Sequence, residues 1–293
     1  MNGMRVFRKE RIGDRRIYYV FGKKVLSYSL KGGGDYNYVR TQLEELDKKI
    51  SRIDAKTEIE FLSKLVHLPQ YSKRKQQKYG ELGQDLIAYS LFGGKKDGFY
   101  IDIGAHDGVV GSNSLLFEEN GWNGICIEPN PQIFERLRKN RKCDCYNLAI
   151  FSQDIDKMKL ATSGNTGLST LEVNLDDYQR KRLCYDYGKN YEIQYIEVQA
   201  ITFDRLMKDY PDVYHIDFIS MDIEGGEFEV LRGIDFDRYT FSLMVIEKHP
   251  RVKHLIPNFL KSKGYRMLMT SAWDFYFVPD DHIGWERPYE LEL

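Results

Sequence analysis

The sequence predicts an α/β fold, a mainly parallel sheet with an antiparallel edge, preceded by a small β-ribbon and a helix. Three observations predict it. Short apolar runs alternate with helical patterns from about residue 99 onward, which is the signature of βαβ units. The last two apolar runs are separated only by Thr270–Asp274, a length that suits a hairpin and hence an antiparallel edge. Residues 1–78 differ in charge and pattern from everything that follows, so they form a separate extension.

In the extension, Met4–Arg8, Arg16–Val20 and Lys24–Leu30 concentrate β-formers such as Val6, Ile17, Tyr18, Val20 and Val25, with Gly13-Asp14 and Gly22 between them. Two or three short antiparallel strands follow from that punctuation. Gly32-Gly33-Gly34 breaks the chain. Val39, Leu43, Leu46, Ile50 and Ile53 then recur at spacings of 4, 3, 4 and 3, a heptad-type helical seam. The seam suits a helix packed on its own domain or a coiled coil that makes a homodimer through Val39–Ile53. Leu68-Pro69 ends it, and Ser72–Lys78 is a basic linker.

Residues 79–293 carry the α/β pattern. Strands are expected at Phe99–Gly104, Gly124–Glu128, Cys143–Ile150, Ile196–Gln199, Ile216–Asp222, Phe241–Glu247, Tyr265–Met269 and Phe275–Val278. Helical patterns lie around Leu115–Phe117, over Pro131–Asn140, at Phe228–Leu231 and at Leu255–Leu260.

Composition excludes several classes. With 42% hydrophobic and 30% charged residues among 293, the chain is neither wholly disordered nor collagen-like. It has no apolar run of about 18 residues, so no transmembrane helix is expected. No apolar stretch of roughly 7–15 residues follows the basic start, so a cleaved secretory signal is not expected and the cytoplasm is the expected location. Four cysteines make no disulfide scaffold, and the Cys143/Cys145 C-x-C lacks a second pair at zinc spacing. Free thiols are the plain reading.

The net charge of −1 conceals an asymmetry: residues 1–78 hold 19 Lys/Arg against 9 Asp/Glu, a net of +10, and the remainder holds 24 against 35, a net of −11. The basic part is free to meet an anionic partner such as a lipid surface, to dock on the acidic part, or to stay solvated. Peripheral membrane contact is one such outcome. Nucleic acid is disfavoured, since no aromatic-basic motif of a nucleic-acid module is present.

In open parallel sheets, ligands bind outside the carboxyl ends of the strands. The first end reads Asp102-Ile103-Gly104-Ala105-His106-Asp107-Gly108. Its glycines allow a sharp turn and a close approach, but the spacing is G-x-x-x-G rather than G-x-G-x-x-G. The acid before the loop suits a cationic ligand, an amino or sulfonium group, better than a pyrophosphate. The second end, Glu128-Pro129-Asn130-Pro131, places a carboxylate 24 residues after Gly104, where it can accept both hydroxyls of an adenosine ribose. Pro131 suits a helix's first turn. At the third end, small residues including Ala149 suit the flank of an adenine ring. The fourth, Asp222-Ile223-Glu224-Gly225-Gly226-Glu227, offers acids for a general base or for a hard cation. At the fifth, strand alternation puts Glu247 and His249 on one face as a candidate acid–base pair.

Taken together, Gly83-Gln84-Asp85-Leu86, Phe99–Gly108 with Ser112-Asn113, Glu128–Pro131, Asp222–Glu227 and Glu247-Lys248-His249-Pro250 resemble the FkbM-type methyltransferases over about residues 79–280. The resemblance implies a class I, Rossmann-like, seven-stranded methyltransferase domain at 79–293, with S-adenosylmethionine as the cofactor. It implies cofactor contacts from Gln84, Asp85, Asp102, Gly104, Ala105, Asp107, Asn113, Glu128, Asn130 and Ala149. His249, Glu247, Asp222 and Glu224 become the catalytic candidates, and Asp222 with Glu224 the candidate Mg²⁺ ligands. Gly80-Glu81 depart from the Ser-Gln the family usually carries there.

The implied reaction is O-methylation of a hydroxyl on a sugar or sugar-linked group in bacterial surface glycan biosynthesis, with His249 oriented by Glu247 as base and Asp222 as the alternate. A nucleotide-activated or phosphorylated small molecule is the next acceptor. Two other classes stay open: a nicotinamide-dependent oxidoreductase, which shares Glu128 but lacks the glycine fingerprint, and a non-catalytic binding protein using the basic extension.

Overall fold

The computed structural model describes the backbone of residues 7–12, 15–20 and 23–29, and then residues 79–80, 83–93, 95–163, 168–186, 189–190, 192–271 and 273–281. The Gly32–Gly34 break, the Val39–Ile53 seam and the Ser72–Lys78 linker lie outside the described residues. The chain divides into two compact units, Met1–Leu65 with Glu286–Leu293, and Val66–Trp285.

In the first unit, β1 (Phe7–Ile12), β2 (Arg15–Val20) and β3 (Lys23–Ser29) form an antiparallel sheet in that order. The strand expected at Met4–Arg8 runs on to Ile12, since its pairing continues to Ile12↔Arg15, and residues 4–6 of that expectation lie outside the described residues.

The second unit opens with helix α1 (Gln84–Leu91), followed by β4 (Phe99–Ile103), α2 (Leu115–Glu119), β5 (Asn123–Ile127), α3 (Pro131–Asn140) and β6 (Asp144–Tyr146). Then come β7 (Ala149–Ile150), β8 (Ile155–Thr162), β9 (Ser169–Leu171), α4 (Asp177–Cys184), the two-residue strands β10 (Tyr185–Asp186) and β11 (Lys189–Asn190), and β12 (Gln194–Ile201). The chain continues through α5 (Phe203–Leu206), β13 (His215–Met221), α6 (Glu227–Arg232), β14 (Thr240–Glu247), α7 (Ile256–Ser262), β15 (Tyr265–Thr270) and β16 (Asp274–Pro279).

Seven strands form one sheet in the order β15-β16-β14-β13-β4-β5-β6. The pairs from β14 through β6 are parallel, whereas β16 pairs antiparallel with both β14 and β15. Strands β4, β13 and β14 are buried on both faces, as in parallel sheets covered by helices. Ile101, Ile125, Ile219, Phe241, Met244 and Phe277 belong to one continuous core. Helix α3 shows how locally the sequence specifies an element. Asn130 caps it by accepting the Gln132 N–H at 3.0 Å, Pro131 opens its first turn, and Ile133 and Leu137 bury its inner stripe.

The single strand expected over Cys143–Ile150 is two. Asn147 donates from Nδ2 to the carbonyls of Glu128 (2.9 Å) and Pro129 (3.0 Å), which turns the chain after Tyr146. Ala149 and Ile150 then leave the main sheet and pair in parallel with Ala200 and Ile201. The strand expected at Ile196–Gln199 likewise lies in this second sheet, ordered β7-β12-β8-β9, around a small core that includes Phe151, Leu160, Leu171 and Ala200. Among the described residues no helix is long and apolar enough to cross a membrane.

Candidate functional site

The carboxyl ends of β4, β5, β13 and β14 meet the second sheet and helix α4 around a cavity of about 770 Å³. Gln84, Asp102, Gly104, Ala105, Asn113, Glu128, Ala149, Asp222, Glu224 and Glu247 all border it. Four of the residues singled out in the sequence do not.

On the β4 side, Asp102 is buried and accepts from Ser114 Oγ at 2.5 Å. Burial raises its carboxyl above the usual range, and the Ser114 hydrogen bond pulls the other way. Gly104 turns with φ +90°, and a Cβ there would lie 2.0 Å from the Asp222 carbonyl oxygen. The two strand ends therefore touch through backbone alone at this point. The Asn113 amide donates to Ser220 Oγ at 3.0 Å, while its buried Oδ1 has no partner.

Glu128 is buried, with Oε1 accepting the Asn130 N–H at 2.8 Å. Burial pushes its carboxyl up to about 7, against the opposing pull of the Asn130 and His106 N–H groups.

After β13 the backbone turns sharply, with Glu224 at φ 59° and Gly225 at φ 103°. Asp222 borders the cavity as an exposed residue with a desolvated carboxyl. Burial, then Glu224, Asp274 and Glu227, raise its carboxyl well above the usual range. Glu247 is raised for the same first reason, with Asp222 next, and its buried Oε2 has no partner. Asp222, Glu224 and Glu247 each place one oxygen within 4.8 Å of the others. Glu224 is ion-paired with Arg182 and accepts from Gln179 Nε2 at 2.9 Å. Glu227 starts α6, buried, and takes the N–H groups of Gly225 (3.0 Å) and Ile223 (3.2 Å), which locks the turn.

The four remaining residues serve the walls. His249 is fully buried and does not border the cavity. Its Nε2 lies 2.7 Å from Gln179 Nε2, and its Nδ1 accepts the Arg251 N–H at 3.3 Å. The alternation that would set it beside Glu247 fails because β14 ends at Glu247, and Lys248 N–H turns to the Trp273 carbonyl. Burial lowers its imidazole to about 4, so the ring is neutral. Asp85 is buried and accepts the Tyr79 N–H at 3.2 Å. Asp107 holds its own turn through the Val109 and Val110 N–H groups. Asn130 is spent on capping α3. Each short polar side chain found a nearer backbone partner than the cavity.

Sequence reasoning missed Tyr178 and Arg182 on α4, and Lys248, Trp273 and Asp274 at the β14–β16 end. Helix α4 reads DYQRKRLC, with Leu183 its one buried apolar anchor, so no hydrophobic period announces it. Tyr178 and Trp273 keep 46% and 52% of their surface exposed, which leaves their rings available at the cavity.

A parallel α/β sheet with an acid-lined pocket at its strand ends, and a carboxylate closing the second strand, is an arrangement of the Rossmann-like class. The sequence pattern described as "Methyltransferase FkbM domain" matches residues 102–267, and the chain belongs to that methyltransferase family. The family implies S-adenosylmethionine as cofactor. No curated protein matches the chain. Among solved structures, similarity is found to the methyltransferase FkbM of Methylobacillus flagellatus KT, at 15% identity and a TM-score of 0.39, covering 62% of this chain and 44% of that one. The chain thus spans less than half the length of that protein. It also resembles the precorrin-6y C5,15-methyltransferase of Geobacter metallireducens GS-15, at 14% identity and a TM-score of 0.33, covering 66% and 85%.

Proposed function

We propose that this chain transfers a methyl group from S-adenosylmethionine to a hydroxyl of a sugar or sugar-linked group, in the assembly of a bacterial surface glycan. One observation carries the reading. Acids at the ends of β4 and β5 border the same cavity as the exposed rings of Tyr178 and Trp273.

The donor set fits the cofactor. Asp102 and the free Oδ1 of Asn113 accept from an amino group, and Glu128 accepts from a ribose diol. Bound there, S-adenosylmethionine supplies an electrophilic methyl carbon on a positively charged sulfur. Gly104 keeps the β4 loop close, and Ala149 borders the adenine end without crowding it. The exposed aromatic rings offer flat apolar surfaces to a sugar ring.

The acceptor hydroxyl must lose its proton as it attacks. Asp222 is the base in this reading, since its raised pKa brings it nearer the working pH. Gln179 Nε2 donates to Glu224 and lies 2.7 Å from His249 Nε2, so the histidine packs behind the acid cluster without meeting the acceptor.

Calorimetric titration with S-adenosylhomocysteine, with NADH as control, tests the cofactor. Binding of NADH alone overturns the reading in favour of a redox enzyme. A labelled methyl donor with glycan acceptors then tests the substrate, and transfer only to a nucleotide-activated or phosphorylated small molecule would redirect it.

A Mg²⁺ ion is the second reading, favoured by the convergence of Asp222, Glu224 and Glu247. The Arg182 ion pair to Glu224 competes with it. Turnover unchanged by EDTA removes this reading, and turnover lost to EDTA and restored by Mg²⁺ establishes it.

A further inference from the structure

Two residues that do not border the cavity stand behind Asp102: Ser114, which opens α2, and Arg141, which closes α3. Both side chains are fully buried. Arg141 Nε donates to Glu118 Oε2 at 2.9 Å, and Nη2 donates to the Tyr100 hydroxyl at 2.8 Å. That hydroxyl donates in turn to Glu118 Oε2 at 2.9 Å, so the guanidinium is held in a fixed plane. Nη1 is left for the loop after β4. It donates to Ser114 Oγ at 3.0 Å, and to Ser112 Oγ and the Gly108 carbonyl at 3.3 Å each. Gly108 makes room for this arm: at φ +78°, a Cβ there would lie 2.6 Å from Arg141 Cγ.

A serine hydroxyl accepts freely but has a single hydrogen to donate. Ser114 Oγ receives the Arg141 N–H, and its own hydrogen is directed at Asp102 Oδ2, 2.5 Å away. Hydrogen bonds in such a chain polarise one another, and one that ends on a carboxylate is stronger than a neutral pair. Burial opposes the charged form of Asp102, while the Ser114 bond and then Arg141 favour it. Asp102 meets a neutral hydroxyl rather than the guanidinium, whose charge is answered by Glu118. The negative charge of Asp102 is therefore kept for a cation in the cavity that it borders.

We propose that Arg141 and Ser114 form a positioning relay that sets the Asp102 carboxylate for the amino group of the cofactor. The relay rests on the S-adenosylmethionine reading above and touches no ligand atom itself. It works by orientation: Glu118 and Tyr100 fix the guanidinium, the guanidinium fixes the serine hydroxyl, and the hydroxyl fixes one carboxylate oxygen. A carboxylate held in place before the ligand arrives loses less freedom when it binds.

The test is calorimetry on the full chain with S-adenosylhomocysteine and with its deamino analogue, in which hydrogen replaces the α-amino group. The wild type should bind the amino compound roughly tenfold or more tighter. Ser114→Ala removes the donor to Asp102 with little disturbance of the fold. The residue shrinks, its side chain makes no capping bond to α2, and Arg141 Nη1 keeps Ser112 Oγ and the Gly108 carbonyl. In that variant the preference should fall to about threefold or less, with the deamino compound bound as in the wild type. A purely structural loss would weaken both compounds alike and leave the preference standing. Arg141→Lys should also lower the preference, and should add nothing further in the Ser114→Ala background. An unchanged preference in Ser114→Ala, losses that add in the double variant, or a wild type that binds both compounds equally overturns the relay and leaves the cofactor reading in place. A wild type that binds neither compound overturns the cofactor reading, and the relay with it.

Discussion

Glu128 is buried and raised to about 7, yet borders the cavity, so it keeps an unfavourable environment that a purely structural acid would shed. Glu128→Gln should lower S-adenosylhomocysteine affinity roughly tenfold, about 1.4 kcal/mol, by calorimetry, while the unliganded protein melts no lower. Asp222→Asn should lower turnover roughly a hundredfold or more and leave homocysteine-compound binding within about threefold. Equal loss of both would make Asp222 a binding residue. Placement at the cavity was legible wherever a side chain sits at a strand end, as at Asp102, Glu128 and Asp222. It failed at His249, where reading alternation past Glu247 assumed a strand that had already stopped. It failed also at Asp107 and Asn130, since short polar residues near a helix or turn satisfy backbone N–H groups first.

Elements were legible in proportion to the apolar surface they bury. Strands β4, β5, β13 and β14 are nearly all core and read directly from their apolar runs. Strand β8 reads IDKMKLAT and β9 is three residues long, so neither stands out, and helix α4 has too few apolar residues to show a period. These are the elements that build the far wall of the cavity, which is why Tyr178 and Arg182 were missed. The junction between the well-read strands depends on Gly104. Gly104→Ala adds a Cβ 2.0 Å from the Asp222 carbonyl at a left-handed φ, so the β4 and β13 ends must separate. A loss of about 2 kcal/mol or more in denaturant unfolding is expected, together with weaker S-adenosylhomocysteine binding. A fully stable variant would mean that the loop after β4 moves freely from the end of β13.

Across the whole second unit, buried acids set the response to pH. Burial raises Asp85 from 3.8 to about 6, and Glu128 and Glu227 from 4.5 to about 7. Asp102, Asp222 and Glu247 move the same way. The unfolded chain sheds these protons near its ordinary carboxylate values, and the folded chain keeps them until higher pH. Between the two the folded state binds more protons, so this contribution to stability is greatest below the unfolded values and is lost as pH rises through 6 to 7. His249 acts in the opposite sense. Its fall from 6.5 to about 4 gives stability that is present above 6.5 and lost as pH drops toward 4. Several acids oppose one imidazole, so the melting temperature should rise as the pH is lowered from about 8 to about 5.5. Glu227→Gln isolates the effect, because Glu227 is buried outside the cavity lining and a glutamine oxygen can still accept the Ile223 and Gly225 N–H groups. The variant should reduce the change across that interval by at most about 2 kcal/mol. A melting temperature that instead falls on acidification would place His249 in control and leave the acids ionised in the folded protein.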